Sequence, residues 1–408
     1  MSFYFHFRLG EKKQDANCHK SKAEELLNSL AFTYLQNHSS ENDVSVSGSL
    51  AILQHLVFLI TEEENPNRDG NSIHVHETMK FTRNLMEGKS DLIGNEITIH
   101  HNIWLRNGLK LNKKVQSLIA RYYYCEINAL PIVNNRVNVP KLQKKIQKLD
   151  QTGKFPEMFR TAVLPDISPQ DILLTSASHV EMEWRESFKE KLTTRGAFHI
   201  SESEKIEVDL MIQKCGLVCV TCDNINATVL QLPLTAHNMS MLVYIPYDRT
   251  SSLDDISTNL TPENFEVLLR QLRQNKPKPV YVILPKFSLK HSGTIPATFR
   301  ETESIDSLEN ATNSAPGCKI FHTSTLNVNE YGLNVTKTGQ SEATITGPAV
   351  HDGIKWTHFT ATVPFLFMLV DMKNKLIFLV GKVSRPEQLK KVERRRKTRN
   401  KNRNWCCS

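Results

Sequence analysis

Cys215, Cys219 and Cys222 stand within eight residues of one another in a chain of 408 and are the first candidates for metal chemistry. Zinc takes four thiolate or imidazole ligands, usually in pairs at short spacing. The segment that carries these cysteines reads as a strand, on which successive side chains alternate faces. Cys215 and Cys219 then share one face, Cys222 takes the other, and no second ligand pair stands at zinc spacing. Buried structural thiols are the expectation, and no metal is expected. His74 and His76, read as strand neighbours on one face, lack an acidic partner at a useful distance along the chain. A glycine-rich phosphate loop, a nucleophile elbow, a His-Glu-x-x-His pair and the kinase signatures are all missing. The sequence therefore predicts no enzyme, no catalytic residue and no cofactor.

Charge is concentrated at one end. The chain carries +8, and residues 387–408 hold nine Lys/Arg against Glu387 and Glu393, a balance of +7 that leaves +1 for residues 1–386. Arg394, Arg395, Arg396, Lys397 and Arg399 form the densest part of this run. A segment so charged is disordered in isolation and suits polyanions: nucleic acid, a heparin-like sugar or an acidic membrane surface. It would serve equally as a nuclear localisation signal. Trp405, Cys406 and Cys407 could add membrane contact or palmitoylation, whereas a prenylation box needs cysteine where Trp405 stands.

No basic-then-apolar leader opens the chain, no apolar run reaches 18 residues, and eight cysteines are too sparse for a disulfide scaffold. A cytoplasmic or nuclear protein, without a transmembrane span and monomeric, is the expectation. The six Asn-x-Ser/Thr sequons, at Asn37, Asn226, Asn238, Asn259, Asn310 and Asn334, keep an extracellular alternative open.

The elements that would position any site change character along the chain. Helical periodicity marks Ser21–His38, with a possible capping box at Ser21 and Glu24, then Ser49–Thr61, Asn112–Tyr124 and Val139–Leu149. Glu62–Asn71 reads as a polar break, and Ile97–Leu105 as a strand. From about residue 160 strands dominate: Ile172–Trp184, Gly196–Ile200, Glu207–Ile212, Leu217–Cys222, Ala227–Pro233, Met239–Ile245, Val280–Leu284, Ile320–Val328, and a closing hairpin of Pro364–Asp371 with Leu376–Val383. One helix interrupts them, Thr261–Gln274, with Thr261 as N-cap and Pro262 at its first position. Helices followed by strands predict an α+β fold with large antiparallel sheets. No Pro/Gly-rich linker divides the body, so residues 1–386 form one domain and 387–408 a tail.

Between the strand ending at Val328 and the strand pattern resuming near Thr360 lies a long stretch rich in Thr, Gly and Ser. Loops of this length are usually functional or disordered. This one alternates like a strand. Leu333, Val335, Lys337, Gly339, Ser341 and Ala343 share one face, opposite the polar set from Asn334 through Thr344.

Several local phrases, in order, resemble the serpin family over about Ser21–Pro386. Phe359, Ala361 and Pro364–Phe367 look like its Phe-x-Ala-Asp-His-Pro-Phe return strand, and Leu376–Pro386 looks like its final Leu-Phe-x-Gly-x-Val-x-x-Pro strand. His322–Gly332 is similar to the strand that leads into the reactive-centre loop. Trp184 with Phe188, Thr193–Met211, Val229–Pro233 with Met239–Pro246, and Leu284–Leu289 match further family segments. Val46–Leu50 departs from the family's Ser-Pro-x-Ser-Ile, and Ser176 and Met182 stand where it has Asn and Gly.

The resemblance implies the serpin fold, helices on large sheets with an exposed loop at about residues 332–359, and an inhibitor of serine or cysteine endopeptidases. Such a loop is bait: once it has acylated the protease it inserts into the main sheet as a new strand, a known switching mode. The hinge would comprise Glu330, Gly332, Leu333, Val335 and Lys337, and the scissile region Thr346, Gly347 or Lys355. Ser176, Trp184 and His322 would lie where the sheet opens. Family inhibitors place small residues at the hinge. Bulky Leu333 and Val335 would overpack by about 1–3 kcal/mol, and Lys337 would bring an unpaired ammonium into the interior. Inefficient inhibition follows, or alternatively a non-inhibitory serpin that binds polyanions through its tail.

Overall fold

The structure, a computed structural model, describes residues 24–25, 27–36, 42–46, 52–53, 56, 71–86, 97–106, 108–123, 125–149, 167, 171–236, 238–247, 252–295, 318–335 and 355–386. Lys337, Thr346, Gly347 and the tail with Arg394, Arg395, Arg396, Lys397 and Arg399 lie outside them. Residues 27–36 are helical, as are 52, 53 and 56. The labelled elements are β1 (Asn42–Val46), α1 (Asn71–Met86), β2 (Ile97–Leu105), α2 (Lys113–Leu118), β3 (Glu126–Ala129), the hairpin β4 (Ile132–Val133) and β5 (Arg136–Val137), and α3 (Val139–Leu149). There follow β6 (Ile172–Val180), β7 (Met182–Glu183), β8 (Thr194–His199), β9 (Lys205–Cys222), β10 (Ala227–Pro233), β11 (Met239–Pro246), α4 (Leu253–Asn259) and α5 (Pro262–Gln274). The chain continues through β12 (Lys278–Pro285), β13 (Phe287–Ile295), β14 (Cys318–Val328), β15 (Gly332–Leu333), β16 (Thr357–Thr360), β17 (Phe365–Asp371) and β18 (Leu376–Val383).

The strands make two large sheets. One has the order β1-β18-β17-β11-β10-β9-β12-β16, with β8 also on β9, and the other runs β3-β2-β6-β14-β15-β7, with β13 on β14. All pairs in them are antiparallel except β2–β3, β6–β14 and β12–β16. The first sheet folds because β11, β17 and β18 are nearly continuous apolar runs buried on both faces, seven of seven residues in β17. Phe287, Phe365 and Phe367 pack in the core with Trp184 and Leu333. α5 is fixed by Thr261, whose Oγ1 accepts from Asn264 N at 3.3 Å, and it buries Phe265, Leu268, Leu269 and Leu272. α3 lies over the second sheet, with Leu142 and Ile146 against Trp104, Leu173, Ala177 and Phe321.

Several elements differ from the sequence reading. His74 and His76 sit on helix α1 rather than on a strand. α1 escaped notice because its buried side chains include His76, Thr82 and Arg83 beside Met79, which hides the apolar period. The two strands expected around Cys215 are one, β9, whose polar middle at Gln213 and Lys214 still pairs with β12. β13, rich in Ser, Lys and His, is a strand because it pairs with β14 at nine positions. The strand expected at Ile97–Leu105 is β2, and β1 and β3, which the sequence reading did not have, also join the two sheets. Asn112–Tyr124 is split into α2 and a π-helical turn, Ile119–Tyr123.

Candidate functional site

The structure brings the loop's start, the top of the second sheet and the Trp184 segment into one place. Along most of their length β6 and β14 pair directly and in parallel, Ile172–His179 against Cys318–Thr325. Above that they part, and Gly332–Leu333 fills the gap, antiparallel to β14 through Val328↔Leu333 and to β7 through Gly332↔Glu183 and Leu333↔Met182. Gly332 is required by this approach, since a Cβ there would meet the Met182 carbonyl oxygen at 2.1 Å. Leu333 is 1% exposed and already part of the core.

Asn334 ends the short strand. It has a φ of 55°, in the left-handed region that asparagine tolerates. Its side-chain Nδ2 donates to Val180 O at 2.6 Å and to Thr325 O at 3.1 Å, while Oδ1 accepts from Asn327 N at 2.8 Å. One side chain thus bonds both strands of the seam where they begin to part. Sequence alternation assigned Asn334 to the outward polar face, but the turn at this residue redirects its amide into the sheet. Val335 follows half-buried, its carbonyl accepting from Asn329 Nδ2 at 2.7 Å.

The turn before the hinge is held from the Trp184 side. Trp184 Nε1 donates to Asn329 O at 2.9 Å, and the Trp184 and Phe188 amides donate to Tyr331 O and Glu330 O, each at 2.9 Å. Glu330 is 3% exposed; its carboxylate accepts from Thr193 Oγ1 at 2.8 Å and pairs with Lys286 Nζ at 2.9 Å. Tyr331 OH donates to Glu190 Oε1 at 2.5 Å. A buried carboxylate so paired fixes the register of the turn.

Lower in the seam, Ser176 Oγ and His322 Nδ1 are 3.0 Å apart, both residues fully buried. Ser324 Oγ donates to Val44 O at 2.8 Å, tying β14 to β1. The rings of His291 and His322 lie 5.7 Å apart. His101, paired with Ser176 in register, is held well below the ordinary histidine value by burial, with Arg83, His322 and His100 adding to the effect.

Of the sequence-derived residues, Glu330, Gly332, Leu333, Val335 and Trp184 come together at the hinge, and Ser176 and His322 lie below it in the same seam. Lys355 is exposed, two residues before β16. Asn329, Lys286 and Thr193 stood only within matched phrases, and Asn334 only as a sequon and on the outward polar face, without a role at the hinge. A left-handed asparagine leaves no pattern in a single sequence. Three sequon asparagines, Asn226, Asn238 and Asn334, have positive φ, so backbone geometry already favours asparagine there. The thiols are raised by burial, Cys215 to about 12 and Cys219 to about 11, which makes them poor nucleophiles.

A family model, "Serpin (serine protease inhibitor)", matches residues 25–386. The leukocyte elastase inhibitor of Xenopus laevis is 22% identical over 370 residues, 86% of this chain and 95% of that protein. The plasma protease C1 inhibitor of Rattus norvegicus is 27% identical over 229 residues, 55% of this chain and 44% of that protein. Among solved structures, human glycosylated kallistatin is similar with a TM-score of 0.71 at 16% identity, covering 91% of this chain and 100% of that one. Human thyroxine-binding globulin is similar with a TM-score of 0.69 at 15% identity, covering 91% of this chain and 99% of that one.

Proposed function

The chain belongs to the serpin family and is not an enzyme; from that premise we propose that it is a bait-type inhibitor of elastase-like serine endopeptidases, slowed by its own hinge. The observation that carries this reading is the placement of β15. Gly332–Leu333 is antiparallel to both neighbours, directly above eight residue pairs at which β6 and β14 meet in parallel. A strand continuing from Leu333 into the seam would keep that sense and replace one parallel ladder by two antiparallel ones, which are somewhat more stable per residue. Each added backbone bond contributes about 1 kcal/mol net, so a full insertion gains several. Cleavage of the loop frees the chain to make this move while the protease is still esterified to the new end.

The hinge sets the rate. Leu333 is already inside the sheet, so its bulk opposes no further step. Asn334 must leave its left-handed turn and give up its bonds to both strands before residue 335 can advance. Lys337 would follow on the inward face two residues later. Each ~1.4 kcal/mol these steps add to the barrier slows insertion about tenfold, and the acyl-enzyme has that much longer to hydrolyse. The bait bond is Thr346–Gly347: Lys355 lies too near β16 to leave extended chain beyond it for a protease cleft, and β-branched Thr346 suits an elastase-like pocket. The likeness to a leukocyte elastase inhibitor supports the same protease class.

The test is incubation with elastase, chymotrypsin, trypsin and a papain-like cysteine protease. An SDS-stable complex with elastase, cleavage after Thr346 and a large rise in melting temperature of the cleaved protein are expected. Cleavage with neither complex nor rise would overturn the reading. That outcome would favour a second one, a non-inhibitory binding protein, which the bonds from Asn334 across the seam support. In either case the tail around Arg394–Arg396, Lys397 and Arg399 contacts polyanions, and deleting residues 387–408 would abolish salt-sensitive binding to them if it is the only such surface.

A further inference from the structure

The seam that an inserting strand must enter is tied at both ends. Asn334 bridges it at the top, and at the bottom Lys319 Nζ lies 3.2 Å from Asp171 Oδ2. Lys319 belongs to β14 and stands opposite Leu173 of β6, while Asp171 directly precedes β6. The ion pair therefore runs diagonally across the two strands that have to part. By strand alternation both residues take the face on which Leu173 and Phe321 pack beneath α3. Asp171 is 7% exposed and Lys319 half-buried, so solvent ions screen this pair less than one at the surface.

The register of β15 fixes what would reach this point. Leu333 faces Val328 on one side and Met182 on the other. In an unbroken antiparallel strand, each later residue falls between partners one step further down β14 and β6. Gly339 would then stand between His322 and Ser176, which are already opposite each other, so a residue without a side chain meets that buried pair. Glu342 would stand between Lys319 and Leu173, also partners now, and alternation from buried Leu333 puts its carboxylate on the face of Lys319. Neighbouring strands lie ~4.8 Å apart, so admitting that residue moves Asp171 and Lys319 apart by about one such spacing and breaks their contact.

We propose that Lys319 is a positioning residue for strand insertion: paired with Asp171 it keeps the lower seam closed, and during insertion it changes partner to Glu342. Insertion then meets two separate obstacles, the turn at Asn334 at its start and the ion pair near its end. The second decides whether a strand that has begun to enter runs to the bottom of the sheet. The closed-state role stands on the seam alone, whereas the change of partner deepens the proposed inhibition and rests on it.

The test compares full-length D171N, K319Q and the exchanged pair D171K/K319E with the parent. Hydrogen exchange is measured on the uncleaved protein, and melting temperature is followed in time after the loop is cut. In the uncleaved protein both single variants should exchange about fivefold or more faster at residues 172–175 and 318–321, and D171K/K319E at the parental rate. After cleavage D171N should gain stability faster than the parent and reach the same melting temperature, because Asp171 is by then unused. K319Q should also gain it faster but end lower, having lost the partner of Glu342. A merely structural pair would lower the cleaved and uncleaved forms alike in both variants. Parental exchange in both single variants would overturn the closed-state role, and equal end points for D171N and K319Q would overturn the change of partner. A cleaved parent that gains no stability would overturn the inhibitor reading and the change of partner with it, while faster exchange in the uncleaved variants would still establish the closed-state role.

Discussion

The side-chain amide of Asn334 lies 2.6 Å from the carbonyl oxygen of Val180, a residue 154 positions earlier in the chain. That bond ends the loop's two-residue strand and bridges the point where β6 and β14 separate, with Thr325 O as a second acceptor on the other side. The first step of insertion and the closure of the seam therefore depend on the same side chain. Attaching a glycan to Asn334 would require that amide nitrogen, which is occupied while the hinge is seated.

Asn334→Gly removes the amide but keeps the left-handed backbone accessible. Losing its hydrogen bonds should lower the stability of the uncleaved protein by about 1–3 kcal/mol. The loop-cleaved form, if it inserts, no longer uses these bonds and should melt as the parent does. If leaving this turn limits insertion, the variant should also form more covalent complex per molecule cleaved. Equal destabilisation of both forms would show that Asn334 has no special part in the closed state.

Gly332→Ala forces a Cβ to 2.1 Å from the Met182 carbonyl oxygen, an atom of the opposing backbone. The hinge must unseat, which takes Leu333 out of the core and forfeits about 1.5–3 kcal/mol of apolar burial. Hydrogen exchange at residues 332–335 and proteolysis just after them should both rise sharply. Unchanged protection there would mean that the strands shift to admit the methyl group.

The sheets, their approximate strands and the general place of the loop were legible because β10, β11, β17 and β18 carry continuous or alternating apolar patterns. What escaped was decided by polar residues. α1 buries His76, Thr82 and Arg83, and β13 is rich in Ser, Lys and His, so neither shows an apolar period, and each is fixed by partners remote in sequence. At the hinge the alternation from Leu333 onward reads as a strand, yet the strand stops at Leu333, because Asn334 finds acceptors on Val180 and Thr325 that only the folded sheet provides.

Lys286 and Glu330 form an ion pair whose carboxylate side is almost wholly buried, with side-chain exposures of 25% and 5%. Lys286→Ala leaves a buried carboxylate with, among the described residues, only the Thr193 hydroxyl as a side-chain partner, a change expected to cost about 3–5 kcal/mol. Adding Glu330→Gln should recover part of the loss, and the double-mutant cycle from urea melts measures the coupling. Strict additivity would show that the pair does not hold the turn.

His101 and His76 give the protein a pH dependence with a definite sign. His101 is held well below the ordinary histidine value of 6.5 chiefly by burial, with Arg83, His322 and His100 acting in the same direction. His76 is also lowered by burial, partly offset by Glu77. When the folded pKa is depressed, the unfolded chain binds the proton first as pH falls through about 6.5, so stability present above that value is lost progressively below it. Melting temperature should be flat between pH 8 and 7 and then fall toward pH 5. His101→Gln, which cannot titrate, should melt with a shallower decline over the same range. A wild-type curve that stays flat to pH 5, or a variant that tracks it fully, would show that these histidines are protonated in the folded state as readily as in the unfolded one.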